Sequence, residues 1–356
     1  MDKIALCMKV PRKQGEKAIA LASDLGVLDK SLLIKQDQED ICIPFARQLE
    51  KNELSTLKSR MPKYRLETLV FTQKQPATRT VNQDLEGKLP PHLLVSLPKA
   101  LDIVGDIAVI EIPVVLKPYQ NLIGESILRI HKNIKTVLAK AGSISGIFRL
   151  REFTFIAGEE KTLTIHREFG CQFHVDVAET YFSPRLSHEH MRVASLVHPD
   201  ETVEDLFAGV GPFSVLIAKR NPSVRVYAID VNPKAVELLK ANVRVNRVEN
   251  RVFPILADAR QIAATELKGL ADRVIMNLPE TAIDFVDAAC QAIKPEGGII
   301  HFYAFIRSND SIENQKRRFS KAVEKSGRKC ENFLFAKNVR ETAPYEFQVV
   351  LDAEIA

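Results

Sequence analysis

Between residues 205 and 279 the sequence sets an acid or an amide at four recurring points, Asp205, Asp230, Asp258 and Asn277, each closing a short apolar run. After the first comes Gly209-Val-Gly211, followed by a helix-like run from Phe213 to Ala218. A strand that stops at Asp205 and turns through two glycines brings bare backbone close to a ligand, because glycine has no Cβ and tolerates positive φ. The helix that follows offers unpaired N–H groups. The side chains fit a nucleoside-like ligand. A carboxylate at Asp230 can accept both hydroxyls of a ribose, and Asp258 is placed to accept from an exocyclic amine such as the adenine N6. Asn277-Leu-Pro279 puts an amide and a rigid, carbonyl-rich turn at the reacting end. Each acid taken singly is equally a helix N-cap. Four in phase at successive strand ends point to a ligand instead.

Such residues converge only if the strands run side by side, and the pattern from about residue 175 onward provides for that. Strand-like runs (Thr202–Phe207, Arg225–Asp230, Val252–Ala257, Arg273–Met276, Gly298–Phe305) alternate with helix-like ones: Phe213–Arg220, Pro233–Val245, Ala259–Lys268 and Thr281–Ile293. That rhythm predicts an α/β fold with a mostly parallel, Rossmann-like sheet, whose ligands sit outside the carboxyl ends of the strands. A further helix at about Ser311–Lys325 and two last strands, near Asn332–Lys337 and Phe347–Ile355, complete a seven-stranded sheet. An extra strand pair after a five-strand series is the layout of class I methyltransferases, which use S-adenosylmethionine (SAM). A nicotinamide dehydrogenase is the rival reading. It needs G-x-G-x-x-G, whereas Ser214 stands at the third glycine position and Pro212 lies inside the motif.

Upstream, the chain reads as two smaller α+β domains: residues 1–70, then a linker at 71–88, then 89–170, with the catalytic domain at 171–356. The first has strands at Ile4–Val10 and Ile41–Phe45 around a helix at Gly15–Leu28, and it ends in a basic segment from Lys58 to Arg65. Gln73–Pro91 is poor in apolar residues and without period, as a linker is. Leu101–Ile112 reads as strand with a turn at Gly105-Asp106. Ile123–Ala139 carries apolar residues at 127, 130, 134, 137 and 138, one helical face. Strands follow at Thr162–His166 and Gln172–Val177.

The 356 residues have no apolar run long enough to cross a bilayer, and the five scattered cysteines argue for a reducing, cytoplasmic setting rather than a disulfide scaffold or zinc site. His188-Glu-His190 invites a metal reading, but on a helix the two imidazoles point about 200° apart, so no metal is expected. The net charge of +5 is compatible with a polyanionic partner without requiring one.

Asp205–Phe213, Tyr227-Ala-Ile-Asp-Val-Asn-Pro233 and Ile275-Met-Asn-Leu-Pro279 closely resemble the archaeal and eukaryotic tRNA (guanine-N1)-methyltransferases, which act on the guanosine at tRNA position 37. Phe148-Arg-Leu-Arg-Glu152, Ala157-Gly-Glu159, Thr162–His166 and Tyr181-Phe-Ser-Pro-Arg-Leu186 match the same family, over a stretch running from about Val104 to the C-terminus. The resemblance implies SAM as methyl donor, tRNA as partner with no DNA or membrane, and a monomer. It implies Glu189 as the base that takes the N1 proton and Arg149 as the partner of guanine O6. Tyr181 and Asn277 would hold the base and the donor, Pro279 would shape the turn, and Arg185 would touch substrate. Asp205, Phe207, Gly209, Gly211, Asp230, Asp258 and Asn277 would form the donor pocket. Basic residues in all three segments (Arg60, Lys63, Arg65, Lys132, Lys135, Lys316, Arg317 and Arg318) would track the RNA backbone. Two other readings stay open: a wyosine-pathway relative that transfers a methyl or aminocarboxypropyl group at the same tRNA position, and a non-catalytic tRNA-binding protein.

Overall fold

The computed structural model describes residues 2–36, 39–61, 63–73, 80–98, 100–142, 146–307 and 309–356. The chain separates into two compact units, Met1–Arg79 and Thr80–Ala356.

In the first unit, β1 (Asp2–Pro11), β2 (Lys35–Gln36), β3 (Asp40–Pro44) and β4 (Arg65–Thr72) form an antiparallel sheet of order β2-β3-β1-β4. Alternation along β1 sends Met8 and Val10 to one face, where Ala18, Leu21 and Ala22 of α1 (Gly15–Asp24) and Leu57 of α2 (Lys51–Arg60) cover them. A reciprocal capping box between Glu50 and Glu53 starts α2. Its basic end, with Arg60, Lys63 and Arg65, is exposed.

In the second unit the segment expected to be linker is partly folded. Its residues 74–79 lie outside the described residues, but Thr80 and Gln83 form a capping box that starts α3 (Val81–Leu85). Leu85 and Leu89 are then buried with Ile123 and Ile127. Two well-placed leucines anchor this stretch, too few to raise its apolar content. After the short α4 (Pro91–Leu94) come β5 (Leu101–Val104) and β6 (Ile107–Ile110), joined at the predicted Gly105-Asp106 turn. The helix expected over Ile123–Ala139 ends early: α5 is Gln120–Ile130, and Thr136–Lys140 is a strand, β7, paired parallel to β6. A strand buried on both faces shows an unbroken apolar run, which periodicity cannot separate from a helix. β8 (Phe153–Gly158) closes this four-stranded sheet. The hairpin of β9 (Leu163–Glu168) and β10 (Cys171–Asp176) runs across residue 170, where the sequence suggested a domain boundary.

The rest is the seven-stranded sheet. α6 (Ser187–Leu196) leads into β11 (Thr202–Asp205), α7 (Pro212–Arg220), β12 (Arg225–Asp230), α8 (Pro233–Val245), β13 (Val252–Leu256) and α9 (Ala259–Ala264). Then follow β14 (Arg273–Met276), α10 (Val286–Ala292), β15 (Gly298–Arg307), α11 (Ile312–Lys325), β16 (Cys330–Ala343) and β17 (Glu346–Ile355). The order is β13-β12-β11-β14-β15-β17-β16, parallel up to β15 and antiparallel beyond it. Strand order reverses beside β11, which places the ligand crevice at its end. α9 is shorter than expected, and the last two strands are longer.

Candidate active site

The turn after β11 is built as its glycines require. Gly209 has φ 55° and Gly211 φ 89°, and Gly211 forms the left-handed N-cap of α7. A Cβ on Gly211 would lie 2.2 Å from Leu239 Cδ1, a buried side chain on α8. A Cβ on Gly209 would meet only the Tyr181 carbonyl, at 3.5 Å, so here it is left-handed backbone that favours glycine. The Gly209 N–H donates to Asp230 Oδ2 at 2.7 Å, and the Asn232 N–H donates to Oδ1 at 2.8 Å. Each Asp230 oxygen thus keeps a lone pair for a ligand. Burial, opposed by those backbone bonds, raises the Asp230 pKa above the usual carboxylate value.

Gly209, Asp230, Asp258 and Asn277 line one cavity. Phe207, Val231, Leu278 and Phe285 give it an apolar slot, with the Phe207 and Phe285 rings edge to face at 5.0 Å. Asp258 is exposed and also caps α9, accepting from the Arg260 and Gln261 N–H groups. Asp205 and Gly211 stand outside the lining. Asp205 is fully buried under the turn and accepts from Ser214 Oγ at 2.7 Å. Burial raises its pKa to about 7. Pro279 is buried in the turn after β14, its carbonyl accepting from the Phe305 N–H.

Across the cavity stand Arg149 and Tyr181. Arg149 sits at φ 55°, a costly conformation for a residue with a Cβ. Its guanidinium pairs with Glu280 and lies 5.5 Å from the centre of the Tyr181 ring. Both residues also line an adjoining cleft with Arg151, Arg185 and Arg340. Arg185 donates to Asp102 at 2.5 Å and faces this cleft, not the first cavity. Arg151 also lines only this cleft and donates to the Gly142 carbonyl, whereas Arg149 lines both spaces.

Glu189 is buried on α6 and lines neither space. Arg192, three residues on and so on the same helix face, donates from Nε to both Glu189 oxygens at 2.8 and 3.0 Å. The Tyr303 hydroxyl donates to Oε2 at 2.8 Å. Arg192 also grips Asp352, which bonds His301, which in turn meets Arg273 at 2.9 Å. Burial holds His301 below its ordinary pKa despite Asp352. A neutral ring then donates from Nδ1 and accepts from Arg273 at Nε2. Despite its own burial, Asp352 is held down to about 2 by His301 and then Arg192. The two histidines flanking Glu189 diverge. His188 is exposed, while buried His190 lines the cavity and bonds Glu168 at 2.7 Å. Among the described residues no cluster suited to a metal ion occurs.

Sequence reasoning missed Arg192, Tyr303, Arg340, Gln348 and Asp352. The signal was present in strands otherwise apolar: His301 and Tyr303, then Gln348, Val350 and Asp352, occupy every second position and so share a face.

Comparison with known proteins gives three family matches along the chain. Residues 7–53 match the tRNA methyltransferase 5 N-terminal domain, residues 81–162 the TYW2 N-terminal domain, and residues 164–331 the TRM5/TYW2 methyltransferase domain. The tRNA (guanine(37)-N(1))-methyltransferase Trm5b of Pyrococcus abyssi is 39% identical over 99% of this chain and 100% of its own length. The protein of that name from Methanocaldococcus jannaschii is 35% identical over 98% of both chains. A solved complex of aTrm5 with tRNALeu superposes with TM-score 0.70 at 32% identity, covering 99% of this chain and all of that one.

Proposed function

The chain belongs to the TRM5/TYW2 methyltransferase family, and from that premise we propose that it transfers a methyl group from SAM to N1 of guanosine 37 in tRNA. The observation that carries the reading is the convergence of Gly209, Asp230, Asp258 and Asn277 with Arg149 and Tyr181 on one cavity. The wyosine-pathway reading is disfavoured by the N-terminal match at residues 7–53 and by full-length similarity to the guanine-37 enzymes. The filled strand-end acids count against a binding protein with a decayed pocket.

The residues present fit SAM. The two Asp230 oxygens each have capacity for a ribose hydroxyl, Asp258 can accept from the adenine amine, and the Phe207–Phe285 slot suits a flat base. When bound, SAM supplies an electrophilic methyl group. The chain must remove the guanine N1 proton and stabilise the charge that spreads to O6 as the N1 lone pair is freed. N1 lies on the pairing edge, so the base has to leave its stack. Arg149, beside Tyr181, is the cation for O6. Glu189 is the proton acceptor. Its carboxylate faces Arg192 and Tyr303, so taking the proton requires the substrate N–H to replace the Tyr303 hydroxyl on Oε2 while Arg192 retains its grip. The exposed Lys132, Lys135, Arg317 and Arg318 supply sites for phosphate contact.

Incubation with radiolabelled SAM and tRNA transcripts carrying G or A at position 37 tests this directly. Labelled 1-methylguanosine should appear from the G transcript alone. Glu189→Gln should leave SAM affinity within about twofold and slow transfer by about a hundredfold or more, the scale of general-base catalysis. Wild-type transfer rates in that variant would remove Glu189 from the role.

A further inference from the structure

Five side chains form a hydrogen-bonded bridge along the cavity wall. Arg340 on β16 donates from Nη1 to Ser183 Oγ at 2.7 Å, from Nη2 to the Tyr181 hydroxyl oxygen at 3.3 Å, and from Nε to Gln348 Oε1 at 2.9 Å. Gln348, which sits opposite Arg340 across the β16–β17 ladder and is 1% exposed, donates from Nε2 to Asn277 Oδ1 at 3.2 Å. An arginine has donors only, so each partner it touches must act as an acceptor. Its Nε fixes the Gln348 amide with the oxygen toward β16 and the nitrogen toward Asn277. That nitrogen in turn orients Asn277 with its oxygen toward β17 and its nitrogen turned away from Gln348.

The consequence lies on the other side of each group. Asn277 is left with Nδ2 and its two hydrogens for the cavity, and Tyr181 and Ser183, having accepted, are left with their hydroxyl hydrogens. All three residues line the cavity.

We propose that Arg340 and Gln348 are positioning residues that fix the hydrogen-bond polarity of this wall, making Asn277, Tyr181 and Ser183 donors together. The inference rests on the reading of the cavity as a guanosine site. A wall of donors receives the acceptor atoms of a nucleotide, such as a base carbonyl or phosphate oxygen. It repels an exocyclic amine in the same place, which favours guanosine over adenosine. A buried donor facing a donor leaves both unpaired, the arrangement that discriminates most strongly between similar ligands.

Gln348→Glu tests the polarity with little change of shape. A carboxylate still accepts from Arg340 but has no hydrogen for Asn277, whose amide turns over to donate to it and presents its oxygen to the cavity. In the full-length protein, kcat for the G37 transcript should fall ten- to a hundredfold. SAM affinity should stay within twofold, and the unfolding temperature should not drop, because Arg340 gains a charged partner. Gln348→Met, which leaves the Asn277 amide free to rotate, should lose less kcat than Gln348→Glu. An effect of the added charge on RNA binding would move KM and its salt dependence instead. The Asn277 side-chain amide, followed by NMR, gives a readout independent of turnover: its Nδ2 hydrogens should exchange freely in the wild type and be protected in Gln348→Glu. Wild-type kcat in Gln348→Glu, or unchanged Asn277 exchange, overturns the proposal. An inactive wild type overturns the guanosine reading alone, and the exchange comparison then still decides the bridge.

Discussion

At the parallel end of the seven-stranded sheet the chemistry sits on strand termini, whereas at the antiparallel end it runs along strand faces. Asp230, Asp258 and Asn277 each stand just at or past the last residue of a parallel strand, where the chain turns and a side chain can reach the crevice. In β15, β17 and β16 the corresponding residues lie mid-strand. His301 is paired with Asp352 and Arg340 with Gln348, and Tyr303 is two residues from His301 on the same face. The termini line the cavity; the faces meet other side chains. These three strands therefore hold Glu189 through Tyr303 and Asp352–Arg192, and they hold Asn277 through Gln348. The result is a division of labour: one end of the sheet carries groups that line the cavity, and the other fixes groups that lie on other elements.

The largest expected effect comes from cutting the second kind. Arg192→Met strips Glu189 of its main partner and leaves Asp352 buried with one charged partner fewer. Breaking a buried pair in this way costs about 3–5 kcal/mol, which a denaturant titration will read. Adding Asp352→Asn removes the uncompensated charge and should recover much of that stability. Methyl transfer should remain at least about tenfold slow in the double variant, since Glu189 still lacks Arg192 and keeps only the Tyr303 hydroxyl. If transfer returns together with stability, the antiparallel face is scaffold only, and the division fails.

A cut at the parallel end should do the opposite. Asp230→Ala removes two carboxylate oxygens and the partner of the Gly209 N–H. Hydrogen bonds to a charged group are worth about 1.5–3 kcal/mol, so SAM affinity measured by calorimetry should fall about 10- to 150-fold. Transfer from the fully bound enzyme should change far less. A variant that binds SAM normally but transfers slowly would place Asp230 on the wrong side of the comparison.

The same division explains how much of the fold and the site is legible in the sequence. Groups at strand termini are spaced by whole βα units, so Asp205, Asp230, Asp258 and Asn277 announce themselves through rhythm. Arg149, Tyr181 and Glu189 have no such rhythm and are reached only through motif resemblance. The grip on Glu189 depends on pairings up to 160 residues apart, Arg192 with Asp352, that no local spacing encodes. The misplaced boundaries share a physical cause as well. Thr136–Lys140 is buried on both faces, so its apolar run mimics a continuation of α5. The segment at 80–89 needs only Leu85 and Leu89 to fold, and it reads as linker because the rest of it is polar.

Neighbouring acids on β11 probe the division at its smallest scale. Asp205 points toward α7 and is bonded by Ser214; Glu204 points to the opposite face of the sheet, beside Val274, and neither of its buried oxygens has a partner among the described residues. Burial raises its pKa to about 8, so near neutrality Glu204 is held as the acid in the folded chain and ionised in the unfolded one. Between the ordinary value of 4.5 and about 8 the folded state therefore binds the extra proton, and stability falls as pH rises through that window. The slope approaches about 1.4 kcal/mol per pH unit, or about 2 kcal/mol between pH 5.5 and pH 7. Glu204→Gln keeps the shape and cannot ionise. Its stability relative to wild type should climb by that amount across the interval in parallel urea titrations, with SAM affinity and methyl transfer unchanged. A difference between the two proteins that stays constant with pH would show that Glu204 finds a proton-independent partner in solution. A loss of SAM affinity would mean that the donor end of the sheet reaches through to its far face, and that strand termini are not the whole of that end.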